Sequence, residues 1–373
     1  MKTFMDKIKL LQKLIQIPSI SGHEEKLAKF ILNYCLNNHL SAKIQKGNVI
    51  VQIKGNNKTR AIIFNAHMDT VSVGNKAKWK YPPFGENAGK IVDGKIYGLG
   101  ASDDKAAIAS MMSLAKSVSN PPCDVWFTFV CNEETDGSGA AHFLQWFKES
   151  IFFLTYKHIA VVIGEPTNLT NIELGHRGNA FVKLKSFGIT GHSAKTYSSD
   201  DLAIDIMLKT LNKLRKEFAL WKKKYKHKVL GEPNLNITGL HTLGESMNKL
   251  PDECWATLDI RTTPMLHANL NSLLDESISE YVEIIRMKGN TSPGFTEGDS
   301  SIVKICRKIL PEVDLAVSLG STDFSQFILA GIDTVVLGPG DEKVIHKENE
   351  HVKIANVEKA VDIYKRIVFL YSE

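Results

Sequence analysis

The sequence has no uninterrupted apolar run of the roughly 20 residues that a membrane-spanning helix needs. Its N-terminal segment is amphipathic and is broken by lysines, a pattern that fits neither a signal peptide nor a membrane span. It has only five cysteines, none of them in CxxC spacing, which argues against a disulfide framework and indicates a reducing compartment. We therefore expect a cytoplasmic protein without a membrane partner.

The sequence also lacks the clustered basic and aromatic side chains of a nucleic-acid surface, so no nucleic-acid partner is expected. The net charge of +5 is spread out, and its densest run, residues 222–228, is typical of a solvated helix end. At most, this charge attracts anionic substrates. With 43% hydrophobic and 23% charged residues in a chain of 373, the composition is that of a globular protein with two domains.

What the sequence does contain is a series of apolar segments that each end in a histidine or an acid. Segments at 61–66, 124–132 and 158–164 predict strands that helices cover on both faces. A glycine-rich turn at 97–102 leads into a predicted helix at 104–118. In open α/β sheets, ligands bind at the carboxyl ends of the strands. The side chains expected at that edge are His67, Asp69, Asp103, Glu133, Glu134 and Glu165.

These side chains predict a catalytic metal site. Nitrogen and oxygen ligands without cysteine are typical of zinc in a catalytic rather than a structural role. Asp69 is placed to fix the ring of a metal-bound His67. Glu133 and Glu134 are adjacent carboxylates that repel each other unless a cation lies near, so one would bind metal while the other stays free as a general base.

A second histidine ligand is expected from the C-terminal part of the chain. The last predicted strand, 333–340, leads to a loop that contains both His346 and His351. Either histidine is a candidate ligand, and either one alone is typical of a protein surface.

The pattern changes in the middle of the chain. Alternating residues at 172–190 predict an antiparallel strand, which precedes a helix, two further strands and a helix from about 270 to 288. This order predicts an α+β unit of ferredoxin-like type, inserted as a lid or dimerisation domain. We therefore expect an α/β catalytic domain at 1–175 and 291–373, with a mostly parallel central sheet flanked by helices, and an inserted domain at 176–290.

Several motifs together resemble a known family. In chain order they are HMDT, YGLGASDDK, NEE, GEPT, GHSA and IHKENE. Over nearly its whole length the chain is similar to the co-catalytic zinc hydrolases that include acetylornithine deacetylase, succinyl-diaminopimelate desuccinylase, aminoacylase and several di- and tripeptidases. The resemblance implies two zinc ions, with Co²⁺ or Mn²⁺ as substitutes. It also implies their ligands: Asp103 bridges both ions, His67 and Glu165 complete one site, and Glu134 and His346 complete the other.

The resemblance further implies hydrolysis of a linear amide. A water held between two zinc ions has a lowered pKa, and Glu133 takes its proton and passes it to the departing amine. Asp69 orients His67. His192, in the GHSA motif, corresponds to a histidine that in dimeric relatives reaches the oxyanion from the partner's inserted domain, so a homodimer through that domain is expected. The alternative for His192 is a packed or exposed lid histidine.

Contacts to a small-molecule substrate are expected mainly in the inserted domain. Arg261 in LDIRTTP and Asn248 in MNKLP match positions that contact the substrate in relatives. A guanidinium suits a bidentate grip on an α-carboxylate, whereas the alternative for Arg261 is an ion pair on the sheet surface. Arg177 and Thr322 are further candidates.

The chain departs from the family beside the bridging aspartate. Relatives usually have Asp-Met-Lys-Gly where this chain has Asp103, Asp104, Lys105 and Ala106. The added acid either turns away from the metals or adds charge beside them. In relatives the peptide bond after the bridging aspartate is cis, so we expect a cis bond between Asp103 and Asp104. Elsewhere the motifs combine features of the deacetylase and the desuccinylase and follow neither.

Three functions are consistent with these residues. We favour a deacylase that removes a small acyl group, acetyl or succinyl, from an N-acyl amino acid. A dipeptidase or carboxypeptidase on the same scaffold is the runner-up; family members with peptidase activity often have aspartate where Glu165 stands, which favours deacylation by analogy. A metal-stabilised binding protein without activity is an alternative of another class, and the free carboxylate of Glu133 argues against it.

Overall fold

The computed structural model describes residues 2–243, 246–287, 289–318 and 320–371, with side chains from residue 6 onward. Over that part of the chain the protein forms two compact units. The first unit comprises Met1–Gly175, Phe295–Ser318 and Thr322–Glu373, and the second comprises His176–Gly294 and Leu319–Ser321.

The elements follow one another along the chain in three groups. The first group is α1 (Lys2–Gln16), α2 (Glu25–Asn37), β1 (Ser41–Gln45), β2 (Asn48–Ile53), β3 (Asn57–His67), β4 (Lys90–Val92), β5 (Lys95–Tyr97), α3 (Lys105–Ser117), β6 (Cys123–Val130), α4 (Ser138–Glu149), α5 (Ile151–Thr155), β7 (His158–Ile163) and β8 (Asn171–His176). The second is β9 (Gly178–Phe187), β10 (Gly191–His192), α6 (Ala203–Lys224), β11 (Asn234–Thr242), β12 (Lys249–Leu250), β13 (Glu253–Thr262), α7 (Pro264–Ser277), β14 (Val282–Arg286) and β15 (Gly294–Phe295). The third is α8 (Ser301–Ile309), β16 (Asp314–Ser318), α9 (Phe324–Leu329), β17 (Asp333–Val336), β18 (His351–Lys353) and α10 (Ile354–Leu370). Among the residues described, none of these helices combines the length and the apolar character that crossing a bilayer requires.

The core of the first unit is a mixed sheet with a parallel centre, which confirms the predicted α/β class. Over the described residues this sheet has nine strands, in the order β1-β2-β6-β3-β7-β17-β8-β15 with β16 paired to β8. β6, β3, β7 and β17 run parallel to one another. β6 is buried along its whole length, as expected for a strand that is covered on both faces.

Helices cover both faces of this sheet because alternate strand residues point to opposite sides. On one face, Ile63 of β3 joins a cluster of aromatic side chains that includes Phe143 of α4 and Phe327 of α9. On the other face, Phe64 contacts Tyr364 of α10, with ring centroids 5.2 Å apart. Helix α3 also packs against β3 and β6, and it is buried from Lys105 to Ala115, where all side chains after Lys105 are small or apolar.

The second unit is an antiparallel sheet with helices on one face. The strand order is β11-β13-β9-β14, and each neighbouring pair is antiparallel. Along the chain the elements run β9-α6-β11-β13-α7-β14, which is the ferredoxin-like βαββαβ order. Inward residues of the sheet, such as Leu184 and Leu258, form one apolar core with Leu214 of α6 and Leu270 of α7.

The predicted helix from 270 to 288 is wrong in its second half. Helix α7 ends at Ser277, and residues 282–286 form strand β14 at the edge of the sheet, next to β9. The predicted end at Lys288 lies outside the described residues. β-branched side chains lose rotamer freedom in a helix and pack well on a sheet, and Val282 and Ile284 join the apolar core of the unit. Tertiary packing therefore overrides the helical pattern.

Candidate functional site

The polar residues of the first unit stand at one edge of its sheet. His67 ends β3, Glu133 and Glu134 follow β6, and Glu165 follows β7. Because these strands are parallel, their carboxyl ends meet at the same edge. Asp103 reaches that edge from the turn before α3.

One cluster, which we call the first ligand group, consists of His67, Asp103 and Glu165. His67 Nε2 lies 2.9 Å from Asp103 Oδ1 and 3.7 Å from Glu165 Oε1. The ligand atoms of the group all lie within 4.8 Å of one another. His67 is only 1% exposed, so this group is shielded from solvent.

The second ligand group consists of Asp103, Glu134 and His346. His346 Nε2 lies 3.0 Å from Glu134 Oε1 and 3.3 Å from Asp103 Oδ2. The His346 side chain is 48% exposed, whereas the side chains of Asp103 and Glu134 are 6% and 10% exposed, so solvent reaches this group at the histidine. Asp103 belongs to both groups, and each of its carboxylate oxygens faces a different histidine.

The structure decides which of the two C-terminal histidines reaches this site. His346 does, whereas the His351 ring packs on Tyr97 with centroids 4.9 Å apart. The loop to His346 leaves the sheet directly after β17, where a Cβ on Gly338 would lie 1.6 Å from the carbonyl oxygen of Gly164. Glycine is therefore required for the loop to start beside Glu165.

Hydrogen bonds between the histidines and the carboxylates shift the pKa values of the site. Burial alone would raise the pKa of Asp103, but hydrogen bonds from His346 and His67 outweigh it and hold the pKa below its usual range. Hydrogen bonds to Asp103 and Glu134 raise the pKa of His346 to about 10. Burial and the charge of Asp103 raise the pKa of Glu165 well above its usual range. Several carboxylates thus share one small region with too little positive charge to compensate them.

The donor chemistry fits two divalent cations. Each ligand group offers one imidazole nitrogen and two carboxylates, and no thiolate takes part. Such nitrogen and oxygen donors suit zinc, cobalt or manganese. A cation replaces the protons that its ligands would otherwise hold, so it would relieve the electrostatic conflict of the buried carboxylates.

Asp69 supports the site through more contacts than the sequence predicts. The Nδ1 of His67 donates to the main-chain oxygen of Asp69 at 2.9 Å, while the carboxylate of Asp69 lies 3.5 Å from the same nitrogen. That carboxylate accepts the N–H groups of Glu133 at 3.1 Å and Glu134 at 3.0 Å, and the hydroxyl of Ser21 at 2.8 Å. Asp69 therefore orients the His67 ring and also fixes the turn that carries the two glutamates.

Glu133 belongs to neither ligand group among the described residues. Burial raises its pKa well above the usual range, and the charges of Asp323 and Glu134 add to the shift. A carboxylate in this position is free to bind and release a proton.

The peptide bond between Asp103 and Asp104 is cis, which confirms the prediction. Asp104 is fully buried, and within the described residues neither of its carboxylate oxygens has a hydrogen-bond partner. Its Oδ2 lies 3.0 Å from the position that a Cβ on Gly164 would take. Burial raises the pKa of Asp104 well above its usual range, and the charge of His67 only partly opposes the shift.

Sequence reasoning missed Glu350, which is 2% exposed and binds the turn that carries Asp103. The motif IHKENE indicates a ligand only through its histidine, because an acid that supports a ligand has no local signature. Glu24 was missed for the same reason; its Oε1 accepts the N–H of Asn132, next to Glu133, at 3.2 Å.

In the second unit the structure brings His192 and Asn248 together. Strands β10 and β12 pair, with His192 opposite Lys249, and the N–H of Ser193 donates to the carbonyl of Asn248 at 3.0 Å. The side chain of His192 is exposed, and its Nδ1 accepts the N–H of Ala194 at 3.1 Å.

The other predicted substrate contacts make bonds within their own units. Arg261 pairs with Asp259 of the same strand through two contacts of 3.0 Å, as the surface ion-pair alternative describes. Arg177 donates to the carbonyl of Glu232 at 2.9 Å. Thr322, in the first unit, accepts the N–H of Phe324 through its hydroxyl at 3.3 Å.

This fold, with two histidine–carboxylate groups at the carboxyl edge of its sheet, defines a metal-dependent hydrolase. The chain belongs to peptidase family M20/M25/M40, whose family model matches residues 63–369. The family expected from the motifs is thereby confirmed.

Relatives span nearly the whole chain. It is similar to a protein named succinyl-diaminopimelate desuccinylase from Ehrlichia canis (strain Jake). The two are 25% identical over an alignment of length 388 that covers 98% of each chain. It is also similar to a protein named acetylornithine deacetylase from Buchnera aphidicola subsp. Acyrthosiphon pisum (strain Tuc7). The two are 26% identical over an alignment of length 393 that covers 97% of each chain. Among solved structures, a tripeptidase from Staphylococcus aureus superposes with a TM-score of 0.77, covering 99% of this chain and 98% of that chain, and its 19% identity shows likeness of fold alone.

Proposed function

We propose that this protein is a dizinc amidohydrolase that removes an acetyl or succinyl group from an N-acyl amino acid. The observation that carries the proposal is Asp103, whose two carboxylate oxygens face His67 at 2.9 Å and His346 at 3.3 Å. A carboxylate shared in this way is suited to bridge two cations. Relatives at 25% and 26% identity over nearly the whole chain are named for the two deacylations, which supports the substrate class.

The first ligand group would hold one Zn²⁺ and the second ligand group the other, with Co²⁺ or Mn²⁺ as substitutes. When bound, such a pair lowers the pKa of a water molecule and polarises the carbonyl of the scissile amide. The chain supplies the geometry. Asp69 holds the His67 ring through Nδ1 at 2.9 Å, which leaves Nε2 directed at Asp103.

Glu133 is the proposed general base. It takes the proton of the attacking water and passes it to the nitrogen of the departing amine. Within the described residues its carboxylate belongs to neither ligand group, which leaves it free to accept the proton and return it. The bond from its main-chain N–H to Asp69 gives its side chain a defined starting point.

His192 is the proposed donor to the oxyanion. Because the N–H of Ala194 donates to His192 Nδ1 at 3.1 Å, the neutral ring carries its proton on Nε2. An Nε2–H group on an exposed histidine is available as a hydrogen-bond donor to a developing negative charge.

The assembly and the compartment are also proposals. A homodimer through the second unit accompanies the role of His192 in relatives, and sedimentation of the purified protein tests it. All five cysteines are unpaired and buried, which supports a reducing compartment such as the cytoplasm.

The direct test measures amine release by the zinc-loaded protein from N-acetyl-L-ornithine and from N-succinyl-LL-diaminopimelate. We expect turnover of one of them, and we expect Glu133→Ala to lower kcat by about 10²- to 10⁴-fold, the usual contribution of a general base. Turnover of neither compound, together with hydrolysis of a dipeptide, would favour the peptidase alternative. An active Glu133→Ala variant would show that the proposed base is wrong.

A further inference from the structure

The loop between β17 and β18, residues 337–350, carries His346 and is hydrogen-bonded near both of its ends to the turn at residues 100–103. That turn carries Asp103, which with His346 provides two of the three members of the second ligand group. The side chains of Glu350 and Ser102 make these hydrogen bonds. Neither residue belongs to a ligand group in the described part of the chain.

Glu350, at the end of the loop, binds the turn through its carboxylate. Its Oε1 accepts the N–H of Ser102 at 2.8 Å and of Asp103 at 3.0 Å, and its Oε2 accepts the N–H of Gly100 at 3.0 Å. The carbonyl of Glu350 accepts a further N–H, from Gly98, at 3.0 Å. A buried carboxylate with three such bonds fixes the backbone of Asp103 at the point where the His346 loop ends.

Ser102, in the turn, binds the first part of the loop through its hydroxyl group. Its hydroxyl oxygen accepts the N–H of Asp341 at 2.6 Å and lies 3.3 Å from the carbonyl of Asp341, to which it donates. Ser102 is fully buried, so water does not compete for these bonds. Asp103 and His346 therefore depend on one shared support, whereas His67 of the first ligand group is held by a strand of the sheet.

We propose that Glu350 and Ser102 are positioning residues that set the metal affinity of the second ligand group much more strongly than that of the first. The proposal rests on the two-metal function proposed above. Residues that orient metal ligands typically change the affinity by about 10- to 100-fold when they are mutated. The effect is selective because only the second ligand group has two members on the shared support.

The test titrates the metal-free protein with Zn²⁺ in a calorimeter, for the wild type, Glu350→Gln, Ser102→Ala and Asp124→Asn. Glu350→Gln keeps the shape of the side chain but replaces one acceptor oxygen with a donor, so one N–H of the turn loses its partner. Ser102→Ala removes both contacts to Asp341. Asp124 is the matched control because it is buried and accepts the N–H of Gly55 at 2.7 Å, yet lies at the amino end of β6, opposite the site.

We expect the wild type and Asp124→Asn each to bind two ions, and we expect the affinity for each ion to be the same in the two proteins. In Glu350→Gln and Ser102→Ala, one ion should bind about 10- to 100-fold more weakly than in the wild type, and the other, whose ligands share only Asp103 with the altered support, should lose much less affinity. If Glu350→Gln does not fold, Ser102→Ala alone decides the outcome. Thermal unfolding of the metal-free proteins separates a general loss of stability, which Asp124→Asn should share, from the selective loss of one ion.

Equal affinities in all four proteins would overturn the proposal. Equal weakening of both ions, or the same selective loss in Asp124→Asn, would overturn it as well, because either result indicates a general structural role. A wild type that binds fewer than two ions would instead overturn the two-metal function, so the two failures are distinguishable.

Discussion

The two ligand groups share Asp103 and have the same donor types, but the chain builds them differently. In the first, His67 ends a central strand and is 1% exposed. In the second, His346 lies in a loop and its side chain is 48% exposed. A ligand on a strand is held in place by the packed core, whereas a ligand on a loop needs additional hydrogen bonds to hold the loop. The comparison shows how one site combines a rigid half with a half that depends on a few side-chain hydrogen bonds.

The largest expected effect comes from removing one histidine from each half. His67→Ala and His346→Ala should each lose one ion and lower kcat/KM by about 10³-fold, since a metal supplies several kcal/mol to the reaction. Their effects on the metal-free protein should differ. His67→Ala leaves buried carboxylates unpartnered and should lower the free energy of unfolding by about 1 to 3 kcal/mol. His346→Ala removes bonds that solvent partly replaces at a half-exposed side chain, so it should lower the free energy of unfolding by less, about 1 kcal/mol.

Metal content of the dialysed variants and denaturant unfolding of their metal-free forms measure these differences. The wild type, stripped of metal in the same way, is the reference. Equal destabilisation by the two substitutions would contradict the distinction between a rigid half and a loop-built half.

An intermediate effect is expected on the pH dependence of stability. Burial raises the pKa of Glu350 to about 8, and hydrogen bonds to Asp103 and Glu134 raise the pKa of His346 to about 10. Both groups therefore hold more protons in the folded protein than in the unfolded chain, and the stability they contribute is present at low pH and lost as the pH rises through these values. A bound cation displaces the proton of His346, whereas Glu350 belongs to neither ligand group in the described part of the chain, so the zinc-loaded protein should show a smaller loss.

Thermal unfolding with and without zinc, from about pH 5 to about pH 9, tests this sign. The His346→Ala variant should lose part of the effect in the metal-free protein, because one of the two groups is gone. A metal-free wild type whose Tm rises steadily over this range would show the prediction to be wrong.

The smallest effect on turnover is expected at Asp104, on the rigid side of the site. Asp104→Met restores the residue that relatives usually have and removes a buried carboxylate without a hydrogen-bond partner in the described chain. We expect the metal-free protein to gain about 1 to 3 kcal/mol in the free energy of unfolding, with turnover retained. Denaturant unfolding measures the gain, with Asp104→Asn as a control that keeps the polar group and should gain less. A less stable Asp104→Met variant would indicate that the carboxylate is compensated.

Much of the rigid half could be predicted from the sequence because its signals are local. A buried strand that runs into His67, and another that runs into Glu133 and Glu134, show in a few consecutive residues that these side chains reach the sheet edge. The parallel centre of the sheet follows from the same continuous apolar segments.

The loop-built half could not be predicted in the same way. The choice between His346 and His351 depends on where the loop turns after Gly338, and the bond from Asp103 to Glu350 joins residues that are 247 positions apart. Strand β14 shows the same limit in the second unit, because its pairing with β9 decides a segment whose local pattern also fits a helix. Contacts of this kind appear only after the chain has folded.

The position of β17 has a consequence for biosynthesis. This strand, Asp333–Val336, lies between β7 and β8 in the sheet, although β7 and β8 are made more than 150 residues earlier. Until β17 leaves the ribosome, the first unit has an unpaired β7 edge and no His346, whereas all four sheet strands of the second unit, β9, β11, β13 and β14, are already complete. A nascent chain halted before residue 333 should therefore contain a folded insert within an unfinished, aggregation-prone host that lacks the second ligand group.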